Sequence, residues 1–120
     1  MRRLTGFLLA LLACTFMQAA AADCITNGAG KMVCPPPEGT CVHDRYREVV
    51  CSQPGGGVLT DRYQDPVCGP GACVRDARGD IHCSRTPRGS AAIDINATAA
   101  CTDGCVPASV AMCVRPAPAN

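Results

Sequence analysis

The chain has no tryptophan and only two phenylalanines, and both phenylalanines lie within its first 16 residues. Beyond them, Tyr46 and Tyr63 are the only aromatic residues. Burying a large apolar side chain contributes about 1.5–3 kcal/mol, whereas ordering the chain costs about 1.5 kcal/mol per residue. A folded domain made from this composition therefore needs a source of stability other than an apolar core.

Motifs of common catalytic, metal and nucleic-acid sites are also missing. No C-x2-C pair is present, although zinc fingers and thioredoxin-like redox sites use one. Neither G-x-S-x-G nor H-E-x-x-H occurs. A single lysine, Lys31, and the lack of a basic run argue against nucleic acid as a partner. We accordingly expect no enzyme, no cofactor, no catalytic residue and no metal ligand.

The N-terminus has the order of charge, apolar run and small residues that is typical of a secretory signal peptide. Arg2 and Arg3 precede a mostly apolar stretch over 4–17, and alanines follow at 19–22. The stretch is shorter than the about 20 apolar residues that span a bilayer. We predict a signal peptide over 1–22 and no transmembrane segment after its removal.

Signal cleavage near Ala22 would leave Asp23 as the first residue of an extracytoplasmic protein, either periplasmic or secreted. The alternative is lipidation at Cys14, because the preceding Leu-Leu-Ala resembles a bacterial lipobox. Apolar residues continue after Cys14, where a lipid-anchored protein usually has a polar spacer, so cleavage near Ala22 is favoured. Loss of two arginines with the signal lowers the formal net charge from +1 to −1.

Ten cysteines follow the signal. An even number of cysteines in a small exported domain is typical of a disulfide framework. We therefore predict five disulfides and no free thiol. The cysteines concerned are Cys24, Cys34, Cys41, Cys51, Cys68, Cys73, Cys83, Cys101, Cys105 and Cys113.

These cysteines mark an internal repeat of eleven-residue units. Units 24–34, 41–51 and 73–83 begin and end with cysteine, whereas 58–68 and 91–101 begin with Val58 and Ala91. Every unit has Asp or Asn seven residues before its closing cysteine. Cys41, Cys73 and Cys105 are also evenly spaced, by 32 residues. Shared residues at a fixed period indicate a repeat architecture produced by duplication.

Each unit is predicted to be a β-hairpin. Asp76-Ala-Arg-Gly79-Asp80 suits a three-residue loop, with Asp at the first turn position and Gly79 in the left-handed conformation. Arg47, Gln64 and Ala97 occupy the place of Gly79 in other units, at some cost in strain. Proline and glycine between the units favour turns over helices.

The predicted fold is therefore small, disulfide-rich and all-β. Tandem short hairpins with Pro/Gly-rich loops and essentially no helix form one domain over 23–113. The last residues, 114–120, are expected to be a disordered tail.

The repeat also predicts the disulfide pairing. Four bonds within segments are expected: Cys24–Cys34, Cys41–Cys51, Cys73–Cys83 and Cys105–Cys113. Cys68 and Cys101 then remain for each other. The competing scheme pairs neighbours across the turns, as Cys68–Cys73 and Cys101–Cys105.

Two kinds of metal site are weaker alternatives. The repeated Asp or Asn could ligate calcium, but one carboxylate per hairpin favours a turn-capping role. His43 and His82 could bind copper with Met32 and Met112, but the four lie in unrelated sequence contexts.

Arg45-Tyr46 and Arg62-Tyr63 recur at equal loop positions, and both residue types are enriched at binding hot spots. We therefore interpret Arg45, Tyr46, Arg62 and Tyr63 as a candidate recognition surface, with a solvated turn as the simpler alternative. The favoured function is an exported, non-enzymatic structural or protein-interaction protein with a protein or envelope partner. The alternatives are a metal- or ligand-binding module and a secreted inhibitor or effector.

Overall fold

The computed structural model describes residues 24–119. The predicted signal peptide over 1–22, the predicted cleavage before Asp23, the lipidation alternative at Cys14 and the last residue lie outside the described residues. The fold is all-β, with short antiparallel strands and five disulfides. The only helical element described is a three-residue 3-10 turn, Val110–Met112. The strands are β1 (Ile25–Thr26), β2 (Met32–Cys34), β3 (Cys41–His43), β4 (Val49–Cys51), β5 (Gly57–Thr60), β6 (Pro66–Gly69), β7 (Cys73–Arg75), β8 (Ile81–Ser84), β9 (Ala91–Ile93), β10 (Ala99–Cys101), β11 (Cys105–Pro107) and β12 (Ala117–Pro118).

The five predicted units form five antiparallel hairpins, which we number hairpin 1 to hairpin 5 in chain order. Within each, we count positions 1 to 11 from the start of the unit to its closing cysteine. Positions 1 and 11 lie opposite each other, as in the pair Cys41 and Cys51. Hairpins 2 to 5 stack through their first strands, since β3 contacts β5, β5 contacts β7 and β7 contacts β9.

All five loops are closed in the same way, by the Asp or Asn at position 4. Asp76 shows the pattern: its Oδ1 accepts hydrogen bonds from the backbone N–H of Arg78 and Asp80, each at 2.9 Å. Its own N–H donates to the carbonyl of Asp80, at 2.9 Å. The predicted turn-capping role is therefore confirmed. The other caps are Asn27, Asp44, Asp61 and Asp94.

Position 7 has the predicted left-handed backbone in every loop. Gly30 and Gly79 adopt φ of 80° and 89° there. Arg47, Gln64 and Ala97 adopt φ of 65°, 66° and 61°, a region that residues with a Cβ normally avoid. The shared hairpin geometry thus overrides the local preference of these three residues.

The chain after Cys101 runs back along the stack, and we call residues 105–119 the return segment. It pairs in reverse order with the closing cysteines of four hairpins. Val106 lies opposite Cys83, Ser109 opposite Cys68, Val114 opposite Cys51 and Ala117 opposite Cys34. The return segment therefore holds hairpins 1 to 4 together.

Two small apolar clusters lie beneath the return segment, and they have equivalent composition. The first contains Val33, Val49 and Cys51 and is joined by Val114. The second contains Val67, Ile81 and Cys83 and is joined by Ala108. Hairpins 1 and 2 build the first cluster and hairpins 3 and 4 the second, so the duplication seen in the sequence is a duplication of the core. Cystine sulfur is part of both clusters.

Three of the predicted disulfides are confirmed, namely Cys24–Cys34, Cys41–Cys51 and Cys73–Cys83. Two predicted bonds, Cys105–Cys113 and Cys68–Cys101, are wrong. Cys68 bonds instead to Cys113, and Cys101 bonds to Cys105.

Chain direction explains both corrections. A turn with positive φ at Asp103 and Gly104 reverses the chain directly after Cys101, which brings Cys105 back beside it. Cys113 lies on the return segment, which places it beside Cys68. The hairpin of Cys68 begins with Val58 and has no cysteine there with which Cys68 could bond.

The expected disorder of 114–120 is contradicted for part of that range. Val114 exchanges two backbone hydrogen bonds with Cys51, at 2.8 and 2.9 Å. Ala117 and Pro118 form β12, which pairs with β2. The edge of β2 offers free backbone groups to this segment, and pairing with them outweighs the low propensity of the Pro-Ala-Pro sequence for strands.

Candidate functional site

The two tyrosines of the predicted recognition surface lie at the same place in adjacent loops. Tyr46 is at position 6 of hairpin 2 and Tyr63 at position 6 of hairpin 3. Their exposed fractions are 73% and 68%, although they are the only aromatic side chains among the described residues. In a protein so short of apolar side chains, both are left outside the core.

Ion pairs between neighbouring loops hold the arginines beside these tyrosines. Arg45 lies 3.2 Å from the carboxylate of Asp65 in the next hairpin. Arg62 pairs in the same way with Asp80, one hairpin further on. In both pairs, position 5 of one hairpin contacts position 8 of the next. The guanidinium carbon of Arg45 also lies 5.3 Å from the ring centre of Tyr46, within the range of a cation–π contact.

A second set of contacts joins the hairpins just below the loops, at position 3. His43 Nε2 donates to the carbonyl oxygen of Thr26, at 2.8 Å. Arg75 donates to the carbonyl oxygen of Thr60 at the equivalent place. The capped turns and the contacts between hairpins therefore hold the conformation of the backbone that carries both tyrosines.

A cleft lies beside each tyrosine. Cleft A, of about 640 Å³, lies between hairpins 1 and 2 and the return segment, and Tyr46 lines it. Cleft B, of about 540 Å³, lies between hairpins 3 and 4 and the return segment, and Tyr63 lines it. Two lining positions are the same in both clefts. Position 10 of the first hairpin is Val33 in cleft A and Val67 in cleft B, and position 8 of the second hairpin is Glu48 in cleft A and Asp80 in cleft B. Core duplication has thus produced two clefts with partly equivalent lining, each with a carboxylate. The tyrosines are not equivalent in them, because Tyr46 comes from the second hairpin of cleft A and Tyr63 from the first hairpin of cleft B.

One carboxylate in hairpin 4 has a histidine partner. His82 Nε2 lies 2.8 Å from Asp76 Oδ2, and this hydrogen bond lowers the pKa of Asp76 below its ordinary value. Because the same carboxylate caps its loop through Oδ1, the histidine contact supports the turn. His82 therefore has a structural partner, as His43 has in Thr26.

The copper alternative joined His43 and His82 with Met32 and Met112. The two histidines belong to different hairpins, and each contacts a structural partner. Residues 24–119 contain no cluster of three or more His, Cys, Asp or Glu side chains placed to hold a metal ion. None of the helical structure described in that range is long and apolar enough to cross a membrane.

Two buried serines also serve the fold. Ser52 Oγ accepts from the N–H of Thr40, at 3.0 Å, and Ser84 Oγ donates to the carbonyl of Thr102, at 2.8 Å. Both serines are completely buried. The first bond joins the two residues that flank hairpin 2, and the second joins the residues that follow hairpins 4 and 5.

Comparisons of the chain with protein-family models, with curated proteins and with solved structures find no match. The repeat in the sequence pointed to Arg45, Tyr46, Arg62 and Tyr63, which the structure places in consecutive loops. It did not reveal the clefts, because these depend on the path of the return segment.

Proposed function

We propose that this chain is an exported, non-enzymatic protein that binds another protein through its hairpin loops. The observation that carries the proposal is the pair of exposed tyrosines, Tyr46 and Tyr63, at equal positions of two loops that are capped in the same way. Export is supported by the order of residues at the N-terminus and by five disulfides, which persist in oxidising compartments.

Tyrosine and arginine are suited to this role because they dominate the energetics of protein interfaces. A tyrosine ring offers a large contact area and loses little conformational entropy when it is bound. The fixed backbone beneath these rings further lowers the ordering cost of association. Beside each ring, cleft A or cleft B gives a partner's side chain a place to enter, next to Glu48 or Asp80.

The test compares capture of a partner by three forms of the immobilised exported protein. They are the wild type, the double variant Tyr46→Ala/Tyr63→Ala and the control Val110→Ala. Val110 is 64% exposed and lies on the return segment, so the control removes an exposed side chain from another surface.

A protein from the envelope or medium should bind to the wild type and to the control. Loss of two anchors worth about 2 kcal/mol each should weaken its binding by roughly a thousandfold in the double variant. Equal capture by the double variant, with its fold intact by circular dichroism, would exclude the loops as the binding surface.

A further inference from the structure

Hairpin 5 presents an apolar surface at the end of the stack. Ile95, in its loop, is fully exposed, with a relative exposure of 101%. Ala92 and Ala100 on its strands are exposed as well. Ala92 and Ala100 lie opposite each other in register, on one side of the hairpin. We call Ala92, Ile95 and Ala100 the end face.

The contacts between earlier hairpins show what Ile95 is placed to meet. Position 5 of hairpins 2 and 3 contacts position 8 of the hairpin that follows, through Arg45–Asp65 and Arg62–Asp80. Ile95 occupies position 5 of hairpin 5. By the same register it extends toward the place that a sixth hairpin would occupy, and its apolar side chain suits an apolar contact there.

The chain itself begins a sixth unit but does not put it in that place. Cys105-Val-Pro matches Cys41-Val-His and Cys73-Val-Arg, each of which forms the first strand of a hairpin. However, β11 pairs with β8 and starts the return segment. The segment that would form a sixth hairpin over hairpin 5 thus pairs with hairpins 1 to 4 instead, as the return segment.

We propose that the end face of hairpin 5 binds the end face of a second copy of this chain, as a symmetric dimer. The contact covers the side of hairpin 5 that faces away from hairpin 4, whose first strand β7 contacts β9. The residue types on hairpin 5 favour a second copy of the chain as the partner. A two-fold contact places the same surface of both copies together, so a charged residue in it would have no partner of opposite charge.

Hairpin 5 meets that condition at the positions where its neighbours are charged. Positions 5 and 8 are Ile95 and Thr98, whereas hairpin 3 has Arg62 and Asp65 there. The carboxylate of Asp94 is engaged in its own loop, accepting from the N–H groups of Asn96 and Thr98.

The other end of the stack is a poor partner for the same face. Hairpin 1 has Lys31 at position 8, the position that Ile95 would contact in a head-to-tail arrangement. Burying a lysine ammonium group against isoleucine is costly. The symmetric arrangement is therefore favoured over an open-ended chain of copies. Because one hairpin offers far less than the about 800 Å² per partner of a standard interface, the dimer should be weak.

Sedimentation velocity of the exported protein over a range of concentrations tests the proposal. The wild type and the control Val110→Asp should form dimers reversibly at high micromolar concentrations. Ile95→Asp should weaken association at least about tenfold, since each copy would bury a carboxylate without a partner. Tyr46→Ala/Tyr63→Ala should dimerise like the wild type, which separates this proposal from the loop-binding function.

Engineered crosslinking gives a second readout. Ile95→Cys should form an intermolecular disulfide on mild oxidation, and Val110→Cys should do so much more slowly. A wild type that stays monomeric at all concentrations would overturn the proposal, as would an Ile95→Asp variant that dimerises normally. Assemblies that keep growing beyond a dimer would also overturn it, because they would require a head-to-tail contact.

Discussion

At the scale of single residues, the loops show how strongly the repeat imposes its geometry. The left-handed conformation at position 7 closes the turn and directs the second strand back to the first. Gly79 adopts it without steric conflict, whereas Gln64 adopts it at a cost of about 1–2 kcal/mol. The duplicated hairpins therefore impose the left-handed backbone conformation at position 7 even on residues that do not favour it.

Replacing Gln64 tests this cost directly. Gln64→Gly should be more stable than Gln64→Ala by about 1 kcal/mol, because both remove the side chain but only glycine relieves the strained φ. In hairpin 4, Gly79→Ala should lose a similar amount. Urea unfolding of the three variants and the wild type measures these differences. Equal stability of the glycine and alanine variants at position 64 would show that the backbone there is not strained.

At the scale of strands and loops, the sequence predicted what is local. Hairpin boundaries, turn caps and three disulfides follow from features within eleven residues, such as Asp76 and Gly79. The same repeat was misleading at Cys105, whose surroundings match the first strand of a hairpin although β11 pairs with β8. Both wrong disulfides have their origin there, since the path of the return segment depends on contacts distant in sequence.

The candidate site divides in the same way. The equal loop positions of Tyr46 and Tyr63 were readable from the repeat. The pairing of Arg45 with Asp65 was not, because it depends on the order in which whole hairpins stack.

Disulfide mapping distinguishes the observed pairing from the one that the repeat predicted. Cleavage of the unreduced, denatured protein before aspartate and after arginine separates Cys101 from Cys105 at Asp103. The fragment 103–120 stays intact because Pro116 follows Arg115, and it should be crosslinked both to 94–102 and to 65–75. The fragment 65–75 should also carry 80–85, through Cys73–Cys83. Release of 103–120 as a single peptide with an internal bond would instead support Cys105–Cys113. Mass spectrometry before and after reduction identifies the fragments.

At the scale of the whole molecule, stability is concentrated in the return segment. It contributes Ala108 and Val114 to the two apolar clusters and pairs with the closing cysteines of four hairpins. Cys68–Cys113 is its covalent attachment to the middle of the stack, and Cys68 is completely buried. Because the clusters are small, they depend on this cover more than a large core would.

Removing disulfides one at a time tests that dependence. Cys68 and Cys113 are separated by 45 residues, whereas Cys101 and Cys105 are separated by four. In the chain-entropy model, the first bond contributes about 4 kcal/mol and the second about 2 kcal/mol. Cys68→Ala/Cys113→Ala should therefore be the less stable of the two double variants in denaturant unfolding.

Amide hydrogen exchange provides the second measurement in that comparison. The N–H of Cys51 donates to Val114 in the return segment, at 2.9 Å. Loss of Cys68–Cys113 should release that segment and speed exchange at Cys51, whereas loss of Cys101–Cys105 should leave it protected. If Cys51 stayed equally protected in both variants, backbone pairing alone would hold the return segment in place. The disulfide would then be dispensable to the assembly of hairpins 1 to 4.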